Sequence, residues 1–227
     1  MIATNSAPLK SRQFRNDSKK ERYLSQGSEP EILTDIYKED INIVTWQRNL
    51  LESLKKEVKK FVSSNPRFEA TMTVSPKTVF NRLEEAFGTG EHTQFLKDIT
   101  DLVQMFCYLF DLSNVGLRLG VLDSAMCPKF HVDRIPCRLV TTYYGIGTEW
   151  LPHQAVDRTK LGAGSNGLPD NKSGLYPTEN DIEQLSCGDI ALLKGENWEN
   201  NAMAGLVHRS PLISHGSYRL LLTLDFT

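Results

Sequence analysis

The spacing of apolar and polar positions changes character near residue 114. Over residues 1–30 no apolar residue recurs at a helix or strand period, and Pro8, Gly27 and Pro30 interrupt what pattern there is. Such a segment buries too little apolar surface to offset the entropy of ordering it, so residues 1–30 are expected to be a flexible basic tail. Further on, a β-type run over 41–46 leads into Trp46, Leu50, Leu54, Val58, Phe61 and Val62, whose spacing predicts an amphipathic helix. Phe68, Ala70, Met72 and Val74 alternate with polar residues, the pattern of a half-buried strand. Ser75 and Pro76 then offer an N-cap and a first-turn proline for a helix carrying Val79, Phe80, Leu83 and Phe87. A longer helix is predicted over 92–112 from the stripe Phe95, Leu96, Ile99, Leu102, Val103, Phe106 and Leu109.

After Asn114 the period drops to two. Val115, Leu117, Leu119 and Val121 alternate, and similar runs at 138–144, 189–194, 204–208 and 218–226 predict strands. Between them, 152–180 is rich in Gly, Pro, Asn and Asp without a regular period, as in a lid or binding loop. Helices first and strands afterwards predict an α+β fold: one domain over 31–227, with residues 31–113 a mainly helical support packed on a C-terminal β-sandwich or barrel over 114–227.

Composition narrows the function classes. A formal charge of −2 gives no global positive field to recruit nucleic acid or anionic lipid, so neither is expected as a partner. Apolar runs are far short of the roughly 18 residues of a membrane span. The cluster Lys55, Lys56, Lys59 and Lys60 is read as the solvated face of its helix. Four cysteines without a C-x-x-C pair point to a reducing, cytoplasmic setting, and the basic N-terminus lacks the apolar core of a secretory signal. Gly162-Ala-Gly-Ser-Asn-Gly167 spells a dinucleotide fingerprint, but polar residues precede it and Leu168-Pro169-Asp170 follows, so it is read as loop.

The chemistry concentrates in Cys127-Pro-Lys-Phe-His131-Val-Asp133-Arg134, Leu206-Val-His208-Arg209-Ser210-Pro211 and the final run 218–226. His131 and Asp133, two apart on an extended chain, face the same way. His208 ends another β-like segment, and a neighbouring strand would bring it to the same point. Two imidazoles and one carboxylate on one side of a metal suit non-haem Fe(II), with positions left for oxygen and a chelating co-substrate. In the last run Arg219, Leu221, Thr223 and Asp225 share one face, while Leu220, Leu222, Leu224 and Phe226 share the other. A guanidinium pointing into a small barrel is costly without an anion, and the distal carboxylate of a keto-acid would supply one. Tyr143 or Tyr144 could donate a further hydrogen bond to it. Cys127 is read as a small buried thiol rather than a zinc ligand. Glu149 and Trp150 are expected at a pocket rim, with Arg138 a candidate contact of Glu149. His92, His153 and His215 carry no assigned chemistry.

The order H-x-D, a Tyr-bearing strand, Gly188-Asp189 before an apolar strand, His208 and then Arg219 resembles the 2-oxoglutarate and Fe(II)-dependent dioxygenases. More closely, Cys127-Pro-x-Phe-His-x-Asp, Arg138-Leu-Val-Thr-Thr-Tyr-x-Gly, Gly147-Thr-Glu-Trp-Leu151 and His208-Arg-Ser-Pro resemble the bacterial domain of unknown function 1826 family, over roughly residues 40–227. The superfamily resemblance implies a double-stranded β-helix, a jelly-roll or cupin-like barrel. It also implies Fe(II) held by His131, Asp133 and His208, and 2-oxoglutarate gripped by Arg219. A small molecule or a protein side chain would be oxidised. Many relatives carry Ser two residues after the Arg, where this chain has Leu221. Two alternatives stand beside it: a non-catalytic zinc-binding barrel serving metal homeostasis, and a cupin-like metal enzyme without a keto-acid. Prime substrate and oligomeric state are not legible in the sequence.

Overall fold

The computed structural model describes residues 21–88 and 92–227. The expected tail over 1–20 lies outside the described residues. Ten strands are described: β1 (Tyr23–Gly27), β2 (Ile41–Trp46), β3 (Glu69–Val74), β4 (Val115–Leu122), β5 (Cys137–Tyr144), β6 (Glu149–Leu151), β7 (Glu183–Gln184), β8 (Ile190–Lys194), β9 (Val207–Arg209) and β10 (Arg219–Phe226). The helices are α1 (Glu52–Ser64), α2 (Val79–Phe87), α3 (Thr93–Phe110) and the single turn α4 (Asp170–Ser173). A 3-10 helix, Pro30–Tyr37, joins β1 to β2. None of the described helices is long and apolar enough to cross a membrane.

Seven strands form one sheet in the order β1-β2-β8-β5-β10-β4-β3, and β7-β6-β9 form a second. All neighbours run antiparallel except β1 and β2. The N-terminal half supplies α1, α2 and α3, and strands besides. It supplies both edges of the large sheet, β1 and β2 at one side and β3 at the other. Ile41 to Thr45 are all buried, so this run needs cover on both faces and a partner strand, and it finds β8. Residues 23–27, expected within the tail, pair with β2 at the edge.

Local patterns are otherwise followed closely. The helix expected from Trp46 starts only at Glu52, because Trp46 is still paired with Ile190 in the sheet. Ser75 closes a turn through its carbonyl rather than capping, and α2 starts after Thr78. The segment 162–165 is a 3-10 turn with no strand before it, and its Gly164 lies where a Cβ would stand 1.8 Å from the Thr159 carbonyl oxygen. The four lysines of α1 are exposed, as a solvated face requires.

Alternation along β4, β5 and β10 sorts their side chains onto two faces. Leu117, Leu119, Leu139, Leu220, Leu222 and Leu224 pack with Leu54, Val58, Phe61, Leu83, Phe95, Ile99 and Phe106 of α1, α2 and α3. On the other face Ile43, Val140, Ala191 and Leu193 pack with Trp150, Leu185 and Leu206 from the side of the small sheet. Helices thus cover the outside of the large sheet, and the space between the two sheets is left for the site.

Candidate metal centre

His131 lies just outside the small sheet but is bridged to it, exchanging backbone hydrogen bonds of 3.0 Å with His208 of β9 in both directions. The bridge fixes the two imidazoles side by side, 4.6 Å between ring centroids. Asp133 follows on the loop into β5, and that loop is bolted to the turn after β8. Glu196 donates its amide to the Asp133 carbonyl at 2.9 Å, Gly195 to the Pro136 carbonyl at 2.9 Å, and the Asn197 side chain to the Arg134 carbonyl at 2.6 Å. Only glycine fits at 195, because a Cβ there would stand 2.0 Å from the Ile135 carbonyl oxygen.

One ligand atom each from His131, Asp133 and His208 lies within 4.8 Å of the others. His131 Nε2 is 3.8 Å from Asp133 Oδ1, and His208 Nε2 is 3.4 Å from Oδ2. The opposite ring nitrogens face backbone carbonyls: His131 Nδ1 lies 3.0 Å from Lys129 O, and His208 Nδ1 lies 3.2 Å from Leu206 O. A carbonyl can only accept, so both Nδ1 atoms carry the proton and both Nε2 lone pairs are turned toward Asp133. This is the arrangement a divalent metal requires, with ligands about 2 Å from a common point.

Protonation states agree with that geometry. Burial, then the neighbouring His208, lower the pKa of His131 and favour its neutral, metal-binding form. Burial opposes ionisation of Asp133, but in the metal-free chain contact with His208 and the positive charges of protonated His208, of Arg138 and of protonated His131 outweigh it and hold the carboxyl down to about 2, and a bound cation would take the place of the imidazole protons. Arg138 of β5 contacts Asp133 Oδ2 at 2.8 Å while its Nε and Nη2 bind both oxygens of Asp225 at 2.6 and 2.9 Å. Asp133 Oδ2 is nonetheless buried without a well-aligned hydrogen bond, so the ligand is steered but not saturated.

His131 and His208 line a cavity of about 250 Å³. Arg219 closes its inner end. Its side chain is 1% exposed, donating to Thr142 Oγ1 at 3.1 Å and Thr148 Oγ1 at 2.7 Å, and no carboxylate among the described residues pairs with it. Burial pulls its pKa down to about 10, which still leaves it charged at neutral pH. A buried guanidinium with hydroxyl neighbours, and with Glu149 acting on it only at a distance, can accept an anion.

Several expected roles move. Neither Tyr143 nor Tyr144 lines the cavity. Tyr144 pairs with Leu220 while Thr142 pairs with Leu221, so β5 carries one extra residue there, and both tyrosines pack on the helix side. Tyr143 donates to Asp98 at 2.5 Å, and Asp98 is clamped by Arg48. Thr142 and Thr148 stand beside Arg219 instead. Strand parity from Arg138 through Val140 could have singled out Thr142. Cys127 is exposed at the cavity mouth rather than buried. Glu149 pairs with Arg209 at 2.6 Å, not with Arg138, and Arg209 also reaches Asp170 of α4 at 3.4 Å and lies over the Phe130 ring. Asp170 accepts the Phe130 amide at 2.8 Å, so the 152–180 loop braces the segment that carries His131. Trp150 is buried opposite His208.

No curated protein matches the sequence. Among solved structures the fold is similar to a dioxygenase for auxin oxidation from Arabidopsis thaliana, in complex with 2-oxoglutarate, at a TM-score of 0.50 and 10% identity, covering 90% of this chain and 91% of that one. It is also similar to a dioxygenase for auxin oxidation from rice, at a TM-score of 0.50 and 11% identity, covering 90% and 82%. Residues 27–225, which hold the triad, Arg138 and Arg219, match the family described as protein of unknown function DUF1826, and the chain belongs to that family.

Proposed function

We propose that this protein is a non-haem Fe(II) and 2-oxoglutarate-dependent dioxygenase whose two sheets form the walls of a double-stranded β-helix. One observation carries the reading: buried Arg219, without a direct ion pair among the described residues, lines the same cavity as His131 and His208, whose Nε2 atoms cluster with Asp133. The donor set fits a divalent metal, and the buried guanidinium, without a direct ion pair, fits the distal carboxylate of a keto-acid. The similar fold of two dioxygenases, one holding 2-oxoglutarate, supports the same reading.

When bound, Fe(II) and 2-oxoglutarate supply oxidative chemistry, coupling reduction of dioxygen to decarboxylation of the keto-acid and oxidation of a second substrate. The chain's own residues do the positioning. His131 and His208 would present Nε2 to the metal, while their Nδ1–H groups donate to the Lys129 and Leu206 carbonyls. Arg138, held by Asp225, orients Asp133. Thr142 and Thr148 hold the Arg219 fork so that little reorganises as the carboxylate arrives. Leu193, Leu221 and Val140 line the wall with apolar surface that limits water.

The test is turnover by the purified chain with Fe(II), 2-oxoglutarate and oxygen. Succinate is expected, absent in His131→Ala and strongly reduced in Arg219→Met. Tight Zn(II) binding with no consumption of 2-oxoglutarate would instead favour a non-catalytic metal protein.

A further inference from the structure

The cavity continues past the triad toward the β3 edge of the large sheet, and this outer half has its own chemistry. Its floor is built by register: Thr223 of β10 stands opposite Arg118 of β4, Leu221 opposite Gly120, and Gly120 opposite Glu69 of β3. All five line the cavity, as does Arg67 just before β3. Gly120 leaves a hollow in this floor. A Cβ added there meets nothing nearer than 3.6 Å, so larger side chains would rise into the cavity.

The arginines of the wall divide into two groups. Arg138 is held by Asp133 and Asp225, Arg209 by Glu149 and Asp170, and Arg219 faces the proposed co-substrate. The Arg67 and Arg118 side chains make no ion pair or hydrogen bond with any described residue, and the side chain of Glu69, the acid that lines the cavity beside them, makes none either. With a divalent metal and a dianionic keto-acid in the inner half, Asp133 and the dianion offset the metal and Arg219, while Asp225 offsets Arg138. Arg209 with Glu149 and Asp170 carries one net negative charge elsewhere on the wall, while two guanidinium groups against one carboxylate give the outer half a local excess of one positive charge.

We propose that the outer half takes the prime substrate, and that this substrate is a small organic anion, a carboxylate or a phosphate monoester. Its charged group is bound by Arg67 and Arg118, and its body lies over Gly120 against Leu221 and Met126, pointing toward the metal. This rests on the dioxygenase reading of the inner half. The size follows from the cavity, whose 250 Å³ is below the roughly 300–1,000 Å³ of most ligand clefts and must also hold the co-substrate. Both arginines are exposed, so the attraction is screened by salt.

The experiment uses the full chain loaded with Mn(II) and N-oxalylglycine, an inert analogue of 2-oxoglutarate. A panel of small monocarboxylates, size-matched phosphate monoesters and the neutral methyl esters of the same acids is titrated by calorimetry. Acids or phosphates are expected to bind about tenfold or more tighter than the esters, the margin of a charge-assisted pair, and to weaken as salt rises. The arm that binds tells carboxylate from phosphate. In the double variant Arg67→Gln, Arg118→Gln the preference for anions disappears, and in Gly120→Leu binding of the panel is lost. Both keep the affinity for N-oxalylglycine, which shows them folded. Equal binding of esters and acids, an unchanged preference in the double variant, or no panel binding while N-oxalylglycine binds would each overturn the proposal. Failure of N-oxalylglycine to bind the metal-loaded wild type would overturn the reading of the inner half and the proposal with it.

Discussion

Arg219 and Arg138 carry the same charge on neighbouring strands, yet their surroundings give them opposite relations to stability. Arg138 has two carboxylates, and burial, which lowers its pKa, is outweighed by Asp225 and Asp133. Arg219 has two threonine hydroxyls and only the distant charge of Glu149, and burial prevails. Holding an unpaired cation in the interior costs the free protein stability, which an anionic ligand would return on binding. Arg219→Met is therefore expected to raise unfolding stability by something on the order of 2 kcal/mol, because a side chain of similar volume without charge replaces it. The same variant should lose any stabilisation by 2-oxoglutarate. Urea unfolding with and without the keto-acid checks both; a fall in stability with the response intact would show Arg219 to be structural. The pairing of Arg138 with Asp225 could not be read from the sequence, since 87 residues separate them and register alone brings them together. Nor could the partner of Glu149. The triad was legible because H-x-D fixes two ligands on one face and only one further histidine ended a strand-like run.

At the scale of elements, local periodicity was read well and partnership poorly. The 3.6-residue stripe of α3 and the alternation of β4 and β10 each express burial on one face, which is a local property. Which strands join one sheet depends on distant partners, and so β1, β2 and β3 escaped assignment to it. The extra residue in β5 likewise reversed the facing of Tyr144 without any local mark. The turn after β8 shows what such long-range fits require. Gly195→Ala is expected to push a Cβ into the 133–135 backbone, lowering stability by about 1–3 kcal/mol and metal affinity by roughly 10–100-fold, as losses in ligand support do. Metal titration beside urea unfolding would measure both. Just before it, buried Lys194 donates to the Lys38 carbonyl, and burial lowers its pKa to about 8. Since the folded pKa lies below the unfolded one, the unfolded chain binds more protons between about pH 8 and the ordinary lysine value, and stability contributed by this group rises with pH there. Buried Cys137, whose pKa is raised, acts in the opposite sense. The effect is thus the difference between wild type and Lys194→Met, which should be more stable than wild type by more at pH 7 than at pH 10.

For the whole molecule, the triad joins parts that the fold holds only through loops. His208 belongs to the small sheet and His131 is bridged to it, and Asp133 sits on the crossing into β5 of the large one. A metal bound by all three ties the sheets together across the cavity, and it can do so only in the folded chain, because 77 residues separate the histidines. Binding to the native state alone raises stability by mass action, about 2.7 kcal/mol at a free metal concentration one hundred times the dissociation constant. Mn(II) should therefore raise the melting temperature of the wild type, and EDTA should reverse the rise. His208→Ala should show neither change, while Arg67→Gln, whose side chain lies at the cavity mouth, should retain both. The size of the shift reports more than affinity. If the metal bound two residues in one sheet and left Asp133 to Arg138, hydrogen exchange would slow in β9 alone. Slowing in β5 and β9 together is the expected outcome, because a shared ligand set makes opening of either sheet release the ion.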